Sequence, residues 1–146
     1  MHGRKNKPRI FFHFPYLSFS FKNRTACKVF IEYLFKKEKT SLGKLDYIFC
    51  SDEFLLEINK QSLNHDFYTD ILTFRLSNPG EPVSGEVYIS IDRVKDNSVT
   101  YKTSFIMELH RVIFHGALHL CGYGDKTKKE KEEMRHKENE SIEKFL

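Results

Sequence analysis

The sequence predicts a single α+β domain, α/β-like in its order of elements, in which a mixed sheet of about four strands is covered by helices. Three observations lead to this prediction. The chain has 146 residues, which is the length of one domain, so we assign residues 1–146 to a single unit. Apolar residues make up 40% and charged residues 30%, which suits one buried core and argues against disorder. Short apolar runs alternate with amphipathic segments in the order β-α-β-α-β-β-α-α.

The first half of the chain contains two predicted strand–helix pairs. Asn23 can cap the first helix, and Ser51 or Asp52 the second. Helical spacing predicts two buried stripes, Ala26, Val29, Phe30, Tyr33 and Leu34 on the first helix and Phe54, Leu55 and Ile58 on the second. The predicted strands are 9–14 and 45–50, and the predicted helices are 23–38 and 51–62.

The second half contains a predicted strand pair followed by two helices. The strands 70–76 and 85–91 are separated by Asn-Pro-Gly-Glu-Pro, a strong turn signal. The longest helix, 103–121, has apolar residues at helical spacing and ends before Gly122 and Gly124. The last helix, 126–145, is rich in charge. A Glu133–Lys137 pair at i,i+4 predicts that it is a solvent-exposed stabilising element.

Composition excludes several classes of protein. The three cysteines form no Cys-x-x-Cys pair, which disfavours disulfides and cysteine-rich zinc sites and predicts a reducing, cytoplasmic location. No apolar run reaches the roughly 20 residues of a membrane span, and the start lacks a secretory signal, so we expect no membrane association. Residues 1–31 carry seven basic side chains and no acidic one. That segment could attract a polyanion, although charge alone favours a solvated terminus.

The motif His115-Gly-Ala-Leu-His119 is the most informative segment. Histidines four residues apart project from one face of a helix, so both imidazoles can reach one metal ion. The glycines that follow let the chain turn back, and Asp125 comes six residues after His119. Two histidines and a carboxylate leave one vertex of a tetrahedral zinc ion open, which is the catalytic arrangement. The motif therefore predicts a metal site at the end of the long central helix.

Neighbouring positions limit the chemistry. A His-Glu-x-x-His zinc protease needs a glutamate where this chain has Gly116, so peptide hydrolysis by that mechanism is disfavoured. Arg111 lies one turn before His115 and either faces an anionic substrate or is a solvated charge. Cys121 is two residues from His119 and is expected to be a small buried hydrophobe rather than a zinc thiolate.

At this point the sequence resembles the bacterial YbeY proteins, rRNA maturation factors regarded as metal-dependent endoribonucleases. Their signature, His-Gly-x-Leu-His-Leu-x-Gly-Tyr-Asp-His, is matched from His115 through Tyr123. Asn59 followed by Thr69-Asp70-Ile-Leu-Thr-Phe is similar to the family's Asn…Thr-Asp-Val-Leu-Ser-Phe. The segment 85–90, Gly-Glu-Val-Tyr-Ile-Ser, is similar to its Gly-Asp-apolar-x-Ile-Ser strand. The resemblance covers roughly residues 45–139.

The resemblance implies site residues position by position. His115 and His119 become metal ligands, the family's third histidine falls at Asp125, and its preceding aspartate falls at Gly124. We therefore expect a site with two nitrogens and one oxygen, harder than a three-histidine site. Leu63 stands where the family often has a substrate-holding arginine. The cations that could compensate are Arg111, Arg75 and the basic N-terminal segment.

The leading hypothesis is that one zinc ion, His115, His119 and Arg111 hydrolyse single-stranded RNA in rRNA maturation and ribosome biogenesis. Ribosomal RNA or the small ribosomal subunit would be the partner. Thr69, Asp70 and Arg75 are expected to bind substrate, although Asp70 could instead orient a ligand histidine or merely begin a strand. Phe67 and Tyr68 could stack a base, but packing at the strand entry is the simpler role. The alternatives are an RNA-binding or ribosome-assembly module with a structural metal, and a hydrolase of small molecules.

Overall fold

The computed structural model describes residues 9–15, 18–63 and 68–146, in which four strands form one mixed sheet. The strands are β1 (Ile10–His13), β2 (Leu42–Cys50), β3 (Ile71–Arg75) and β4 (Val83–Ser90), in the spatial order β1-β2-β4-β3. β1 pairs parallel to β2 and β2 parallel to β4, whereas β3 runs antiparallel to β4. The predicted α+β class with a mixed four-stranded sheet is therefore confirmed.

Five helices accompany the sheet in the described part of the chain. They are α1 (Arg24–Lys37), α2 (Asp52–Leu63), α3 (Ile91–Thr100), α4 (Phe105–Leu120) and α5 (Lys128–Phe145). Within the described residues, no helix combines the length and the apolar character needed to cross a bilayer. The three cysteines are free thiols, as expected from their spacing.

Helix α3 was not predicted, because the segment 91–100 looks like the end of a strand followed by a loop. It is rich in β-branched residues, Asp and Asn, which have modest helix propensity. A side-chain cap stabilises the start of the helix instead, because the Ser90 Oγ accepts a hydrogen bond from the Arg93 backbone N–H at 3.1 Å. Ile91 and Val94 are buried on its inner side. The predicted strand 85–91 consequently ends one residue early.

The predicted stripes of α1 and α2 are wrong in part. On α1 the buried residues are Cys27, Ile31, Leu34 and Phe35, whereas Val29 is 64% exposed. Apolar residues occupy two adjacent faces of this helix, so periodicity alone could not select the inner one. Asn23 precedes the helix in a left-handed conformation and makes no side-chain cap.

On α2 the inward side chains are Leu55 and Asn59. Phe54 is 36% exposed, contrary to the prediction. The predicted cap is confirmed, because the Ser51 Oγ accepts a hydrogen bond from the Phe54 N–H at 3.1 Å.

Helix α4 is the central helix, and most of its residues are buried. The Tyr47 hydroxyl of β2 donates a hydrogen bond to the Ile113 carbonyl at 2.8 Å, which ties the helix to the sheet. At Gly116 the helix approaches the sheet so closely that a methyl group there would lie 2.8 Å from Cγ1 of Val87 and 3.2 Å from Cδ1 of Ile71. A cluster of phenylalanine rings packs beside β1 and β2, formed by Phe12, Phe14, Phe19, Phe21 and Phe49.

Helix α5 is less exposed than its composition suggests. Thr127 and Glu130 form a capping box at its start. A buried stripe then faces the rest of the domain, comprising Met134, Glu138, Ser141 and Ile142. The predicted Glu133–Lys137 pair does not form, because Lys137 Nζ lies 3.4 Å from Glu38 Oε2.

Candidate active site

A cavity of about 290 Å³ lies where α4 and α5 meet the start of β3 and the end of α3. Its walls bring together residues that are far apart in sequence: Thr69 and Asp70 before β3, Asn97 from α3 and Tyr101 directly after it, Glu108, Arg111 and His115 from α4, Asp125 from the loop after α4, and Arg135 and Glu138 from α5. Five predicted site residues, Thr69, Asp70, Arg111, His115 and Asp125, therefore share one space. His119 and Arg75 do not line it.

His115 has carboxylates on both ring nitrogens. Its Nδ1 lies 2.6 Å from Glu138 Oε2, and its Nε2 lies 3.4 Å from Asp125 Oδ2. Because the Glu138 carboxylate is a hydrogen-bond acceptor, Nδ1 carries the proton. Burial opposes the charged imidazolium, but Glu138, Asp125 and Asp70 outweigh it and raise the pKa of His115 above its usual value. A metal ion binding at Nε2 would displace a proton, so its affinity would weaken as the pH falls.

His119 is oriented in the same way by a different group. Its Nδ1 donates a hydrogen bond to the Tyr123 carbonyl at 3.0 Å. Since a carbonyl can only accept, Nδ1 is protonated and Nε2 keeps its lone pair for a metal. Gly122, at φ 112°, provides the left-handed residue that ends the helix here, as the sequence predicts.

In both histidines Nδ1 is held by an acceptor, which leaves Nε2 as the nitrogen that would bind zinc after losing any proton it carries. Asp125 supplies an oxygen donor next to one of them. Nevertheless, across residues 9–15, 18–63 and 68–146 no three His, Cys, Asp or Glu side chains are gathered closely enough to form a ready-made metal site. The donor chemistry therefore fits zinc, while the joint coordination by His115, His119 and Asp125 stays a prediction.

Arg111 is neither a solvated charge nor an unengaged substrate ligand. Its Nη1 donates to Asn139 Oδ1 at 2.8 Å and to Glu138 Oε1 at 3.3 Å, and its Nε lies 3.7 Å from Glu108 Oε1. Burial raises the pKa of Glu108, and Arg111 opposes that rise. The guanidinium thus balances two buried carboxylates at the wall of the cavity.

Asp70 and Thr69 lie at the cavity, where the sequence placed the substrate contacts. The Asp70 carboxylate accepts a hydrogen bond from Asn97 Nδ2 at 3.2 Å, and the Thr69 hydroxyl donates to the Ile71 carbonyl at 3.3 Å. Burial raises the pKa of Asp70, and the neighbouring His115 opposes that rise.

Arg75 lies at the opposite end of β3, away from the cavity. Its guanidinium donates hydrogen bonds to Ser77 Oγ and to the carbonyls of Asn78 and Glu81, which closes the predicted turn between β3 and β4. Leu63, at the end of α2, is 42% exposed. Neither position therefore provides a cation at the cavity.

Tyr68, just before β3, is 44% exposed and lies outside the buried core. Its hydroxyl donates to Glu53 Oε1 at 3.3 Å, and the Arg93 guanidinium lies 4.8 Å from its ring centroid. Phe67 lies outside the described residues. Cys121 is half-buried against the core, and burial raises the pKa of its thiol to about 12. It therefore stays protonated, which agrees with the predicted apolar role.

Comparison with known proteins places this chain in a family. The family model for the endoribonuclease YbeY matches residues 17–146. The chain belongs to the YbeY family. It is 48% identical to the endoribonuclease YbeY of Cytophaga hutchinsonii over 91% of this chain and 93% of that protein. It is 42% identical to the endoribonuclease YbeY of Flavobacterium psychrophilum, over 88% and 91% of the two chains.

The fold also has a solved counterpart. A solution structure of a Thermotoga maritima protein aligns with a TM-score of 0.64 and 28% identity, covering 93% of this chain and 88% of that chain. The similarity therefore extends over nearly the whole YbeY domain.

Glu138 lines the cavity and is a candidate site residue that the sequence analysis does not name. It contacts both His115 and Arg111 although it lies 23 and 27 residues away from them. A signal was present, since Glu138 occupies the same helical stripe as Met134, Ser141 and Ile142. A glutamate in an otherwise inward-facing stripe needs a buried partner, and the nearby histidine motif offers one.

The cavity has an excess of negative charge. Four carboxylates line it, Asp70, Glu108, Asp125 and Glu138, against two guanidinium groups, Arg111 and Arg135. Such a site attracts a cation more readily than an RNA phosphate.

Proposed function

We propose that this YbeY-family chain is an endoribonuclease that hydrolyses single-stranded RNA with one zinc ion held by His115, His119 and Asp125, and that ribosomal RNA is its substrate. The observation that carries the proposal is the His115 environment: Nδ1 is held by Glu138, and Nε2 is directed towards Asp125. In histidine ligands of zinc the outer nitrogen is commonly held by a carboxylate in this way, and the inner nitrogen binds the metal once it is deprotonated.

The charge of the cavity supports a metal-dependent reaction. With two carboxylates in excess, the cavity would repel a phosphodiester unless a divalent cation balanced the charge. A bound zinc ion supplies Lewis acidity, which activates water near neutral pH and polarises a phosphoryl oxygen. Two protein ligand types, imidazole and carboxylate, are both common zinc donors.

The protein residues have separate roles in this proposal. Glu138 holds the proton on Nδ1 of His115, which keeps Nε2 available and fixes the ring. Arg111 is held by Glu108, Glu138 and Asn139, and it keeps a positive charge beside the site where negative charge develops on the phosphate. Thr69 and Asp70 also line the cavity, where they would contact the bound strand.

The size of the cavity favours an unpaired strand. A space of about 290 Å³ is large enough for a phosphate with its sugar or base. Unpaired RNA can also bend so that one phosphodiester reaches a recessed site, whereas the bases of an A-form duplex are hidden in a deep, narrow groove. Ribosomal RNA as the substrate is proposed from the resemblance to rRNA maturation factors, since the cavity does not specify it.

The test combines metal analysis with cleavage. The purified protein should contain about one zinc per chain by mass spectrometry, and it should cleave a labelled single-stranded RNA internally. A chelator should abolish cleavage, and added zinc should restore it. His115→Ala should lose both zinc and cleavage, whereas His13→Ala, a matched change at an exposed histidine bonded to Asp46, should keep both.

Two outcomes would replace the proposal. A protein that retains zinc and binds RNA without cutting it would be an RNA-binding module with a structural metal. Hydrolysis of small esters with intact RNA would indicate a small-molecule hydrolase.

A further inference from the structure

A row of cations lies on the exposed side of α5, next to the cavity. Lys128, Lys131 and Arg135 are spaced three and four residues apart, so they are neighbours along one side of the helix. Together with His136 and Asn139 they line a shallow groove. Arg135 lines both this groove and the cavity, so the row leads to the cavity mouth.

The positive charge of the row is largely unbalanced. Within residues 9–15, 18–63 and 68–146, neither Lys128 nor Lys131 forms an ion pair, and both are exposed. Arg135 is 65% exposed, and its Nε lies 3.6 Å from Glu138 Oε1. Glu132 is the single acidic side chain among the described residues that line the groove.

The other side of α5 is different. There Lys137 lies 3.4 Å from Glu38 Oε2, and Glu140 Oε1 lies 3.0 Å from Lys37 Nζ. Those charges join α5 to α1 and largely cancel. The charge left for a partner is therefore concentrated on the side that borders the cavity.

The cavity itself has little to offer a phosphate chain. Arg111 is shared between the Glu108 and Glu138 carboxylates, and Arg75 closes a distant turn. An RNA backbone that enters this negatively charged cavity needs cations outside it. The α5 row is next to the cavity and meets that need.

We infer that Lys128, Lys131 and Arg135 form a track that binds the phosphates of single-stranded RNA as it leads into the cavity. The three residues span about 10 Å along the helix, or roughly three nucleotides of a stacked strand at about 3.4 Å each. No apolar side chain lines the groove in the described residues, whereas protein interfaces usually have an apolar centre. RNA therefore fits this surface better than an acidic protein. That the track leads RNA towards the cavity rests on the proposed function, which places cleavage there.

The test compares two double variants with equal loss of charge. Lys128→Gln/Lys131→Gln removes the track, and Lys36→Gln/Lys129→Gln removes two exposed lysines from α1 and from a different side of α5. Binding of a fluorescein-labelled single-stranded RNA is measured by anisotropy over a range of salt concentrations. A His115→Ala background prevents cleavage during the titration.

The track variant should bind RNA about ten-fold more weakly at 0.1 M salt, and its log–log salt slope should fall by about 1.4, or about 0.7 per lost phosphate contact. The control variant should retain the original slope. Lys128→Arg/Lys131→Arg, which preserves the charge, should bind like the parent protein. In the otherwise unchanged enzyme, the track variant should raise KM and leave kcat unaltered.

Equal losses in the track and control variants would overturn the inference, since net charge alone would then explain binding. Binding of polyglutamate as tight as that of RNA would also overturn it, in favour of an acidic protein partner. If the unmodified enzyme cleaves no RNA, the proposed function fails, but the binding comparison still decides whether the track exists.

Discussion

The surroundings of His110 and His115 differ sharply, although both residues lie on α4 and are five residues apart. His110 is 2% exposed and packs among aromatic rings, with the centroids of Phe145, Phe21 and Phe114 at 5.0, 5.8 and 5.8 Å. His115 faces the carboxylates of Glu138 and Asp125. Burial lowers the pKa of His110, whereas the carboxylates raise the pKa of His115.

Contacts within α4 itself do not explain why the surroundings of these two histidines differ. His110 Nδ1 lies 2.8 Å from the Ile106 carbonyl of its own helix, and its buried Nε2 has no hydrogen-bond partner in the described part of the chain. His115 differs because α5 and the loop after α4 bring acidic side chains to it. A histidine therefore becomes a candidate ligand through the elements that pack against its helix.

The largest expected effect follows from removing the imidazole of His115, which faces the carboxylates of Glu138 and Asp125. His115→Ala should lower kcat/KM for RNA cleavage by more than about 100-fold, because changes outside the ligand shell already cost about 10–100-fold. His110→Leu is the matched change in the aromatic region and should leave cleavage unaltered. Comparable losses in both variants would show that α4 needs its histidines for packing and not for chemistry.

The next effect concerns the Glu138 carboxylate, which contacts His115. Glu138→Gln keeps the shape of the side chain but removes its charge, so zinc affinity should fall by about 10–100-fold in a chelator competition assay. Glu140→Gln removes the same charge from the exposed side of α5 and should leave zinc affinity unaltered. Unchanged affinity in Glu138→Gln would mean that Glu138 does not orient His115.

A smaller effect is expected at the proposed oxygen ligand. Asp125→His replaces the carboxylate with an imidazole and should tighten zinc binding by about ten-fold, equivalent to about 1.4 kcal/mol. The nitrogen is a softer donor, so preference for zinc over manganese should also increase. Asp125→Ala serves as the comparison and should weaken zinc binding. An Asp125→Ala protein with full affinity would exclude this residue as a ligand.

The smallest effects concern pH and stability in the metal-free protein. Because the pKa of His110 is lowered in the folded protein, this residue binds a proton at a higher pH in the unfolded chain than in the folded one. Protonation therefore favours unfolding, and the free energy of unfolding falls as the pH falls below about 6.5. The raised pKa of His115 has the opposite sign, since its contribution is present below about 6.5 and is lost as the pH rises through the folded value.

His110→Leu should therefore flatten the acid side of the stability profile and should raise stability by about 1 kcal/mol, because a buried nitrogen without a partner is removed. His115→Gln should flatten the side above pH 6.5. Urea unfolding with chelator present, from acid to mildly alkaline pH, measures both. If both variants changed the pH dependence of stability in the same way, the opposite pKa shifts of His110 and His115 would be contradicted.

Local patterns predicted much of the fold and part of the site. The spacing of His115 and His119, the turn before β4 and the strand alternation all depend on residues close in sequence, so periodicity and turn chemistry identify them. The Ser90 cap of α3 was overlooked because its helix is short and polar. Arg75 looked like a substrate contact, yet the turn beside it supplies enough acceptors to engage it.

The partners of the site residues depend on how distant elements pack. Glu138 reaches His115 only because the inward stripe of α5 lies against α4, and Arg135 reaches the cavity for the same reason. Amphipathic periodicity could identify that stripe but not its neighbour. The engagement of Arg111 by Glu108 and Glu138 likewise required the packed structure.

The tight contact between Gly116 and the sheet restricts what this scaffold could become. Zinc peptidases place their proton acceptor one residue after the first histidine. Here that position faces Val87 and Ile71 with no room even for a methyl group. A carboxylate side chain would have to lift the helix off β4 and would point into hydrocarbon, towards Val87 and Ile71. No single substitution at 116 can therefore convert this site into a peptidase of that kind, because α4 lies too close to the sheet at this position for any side chain.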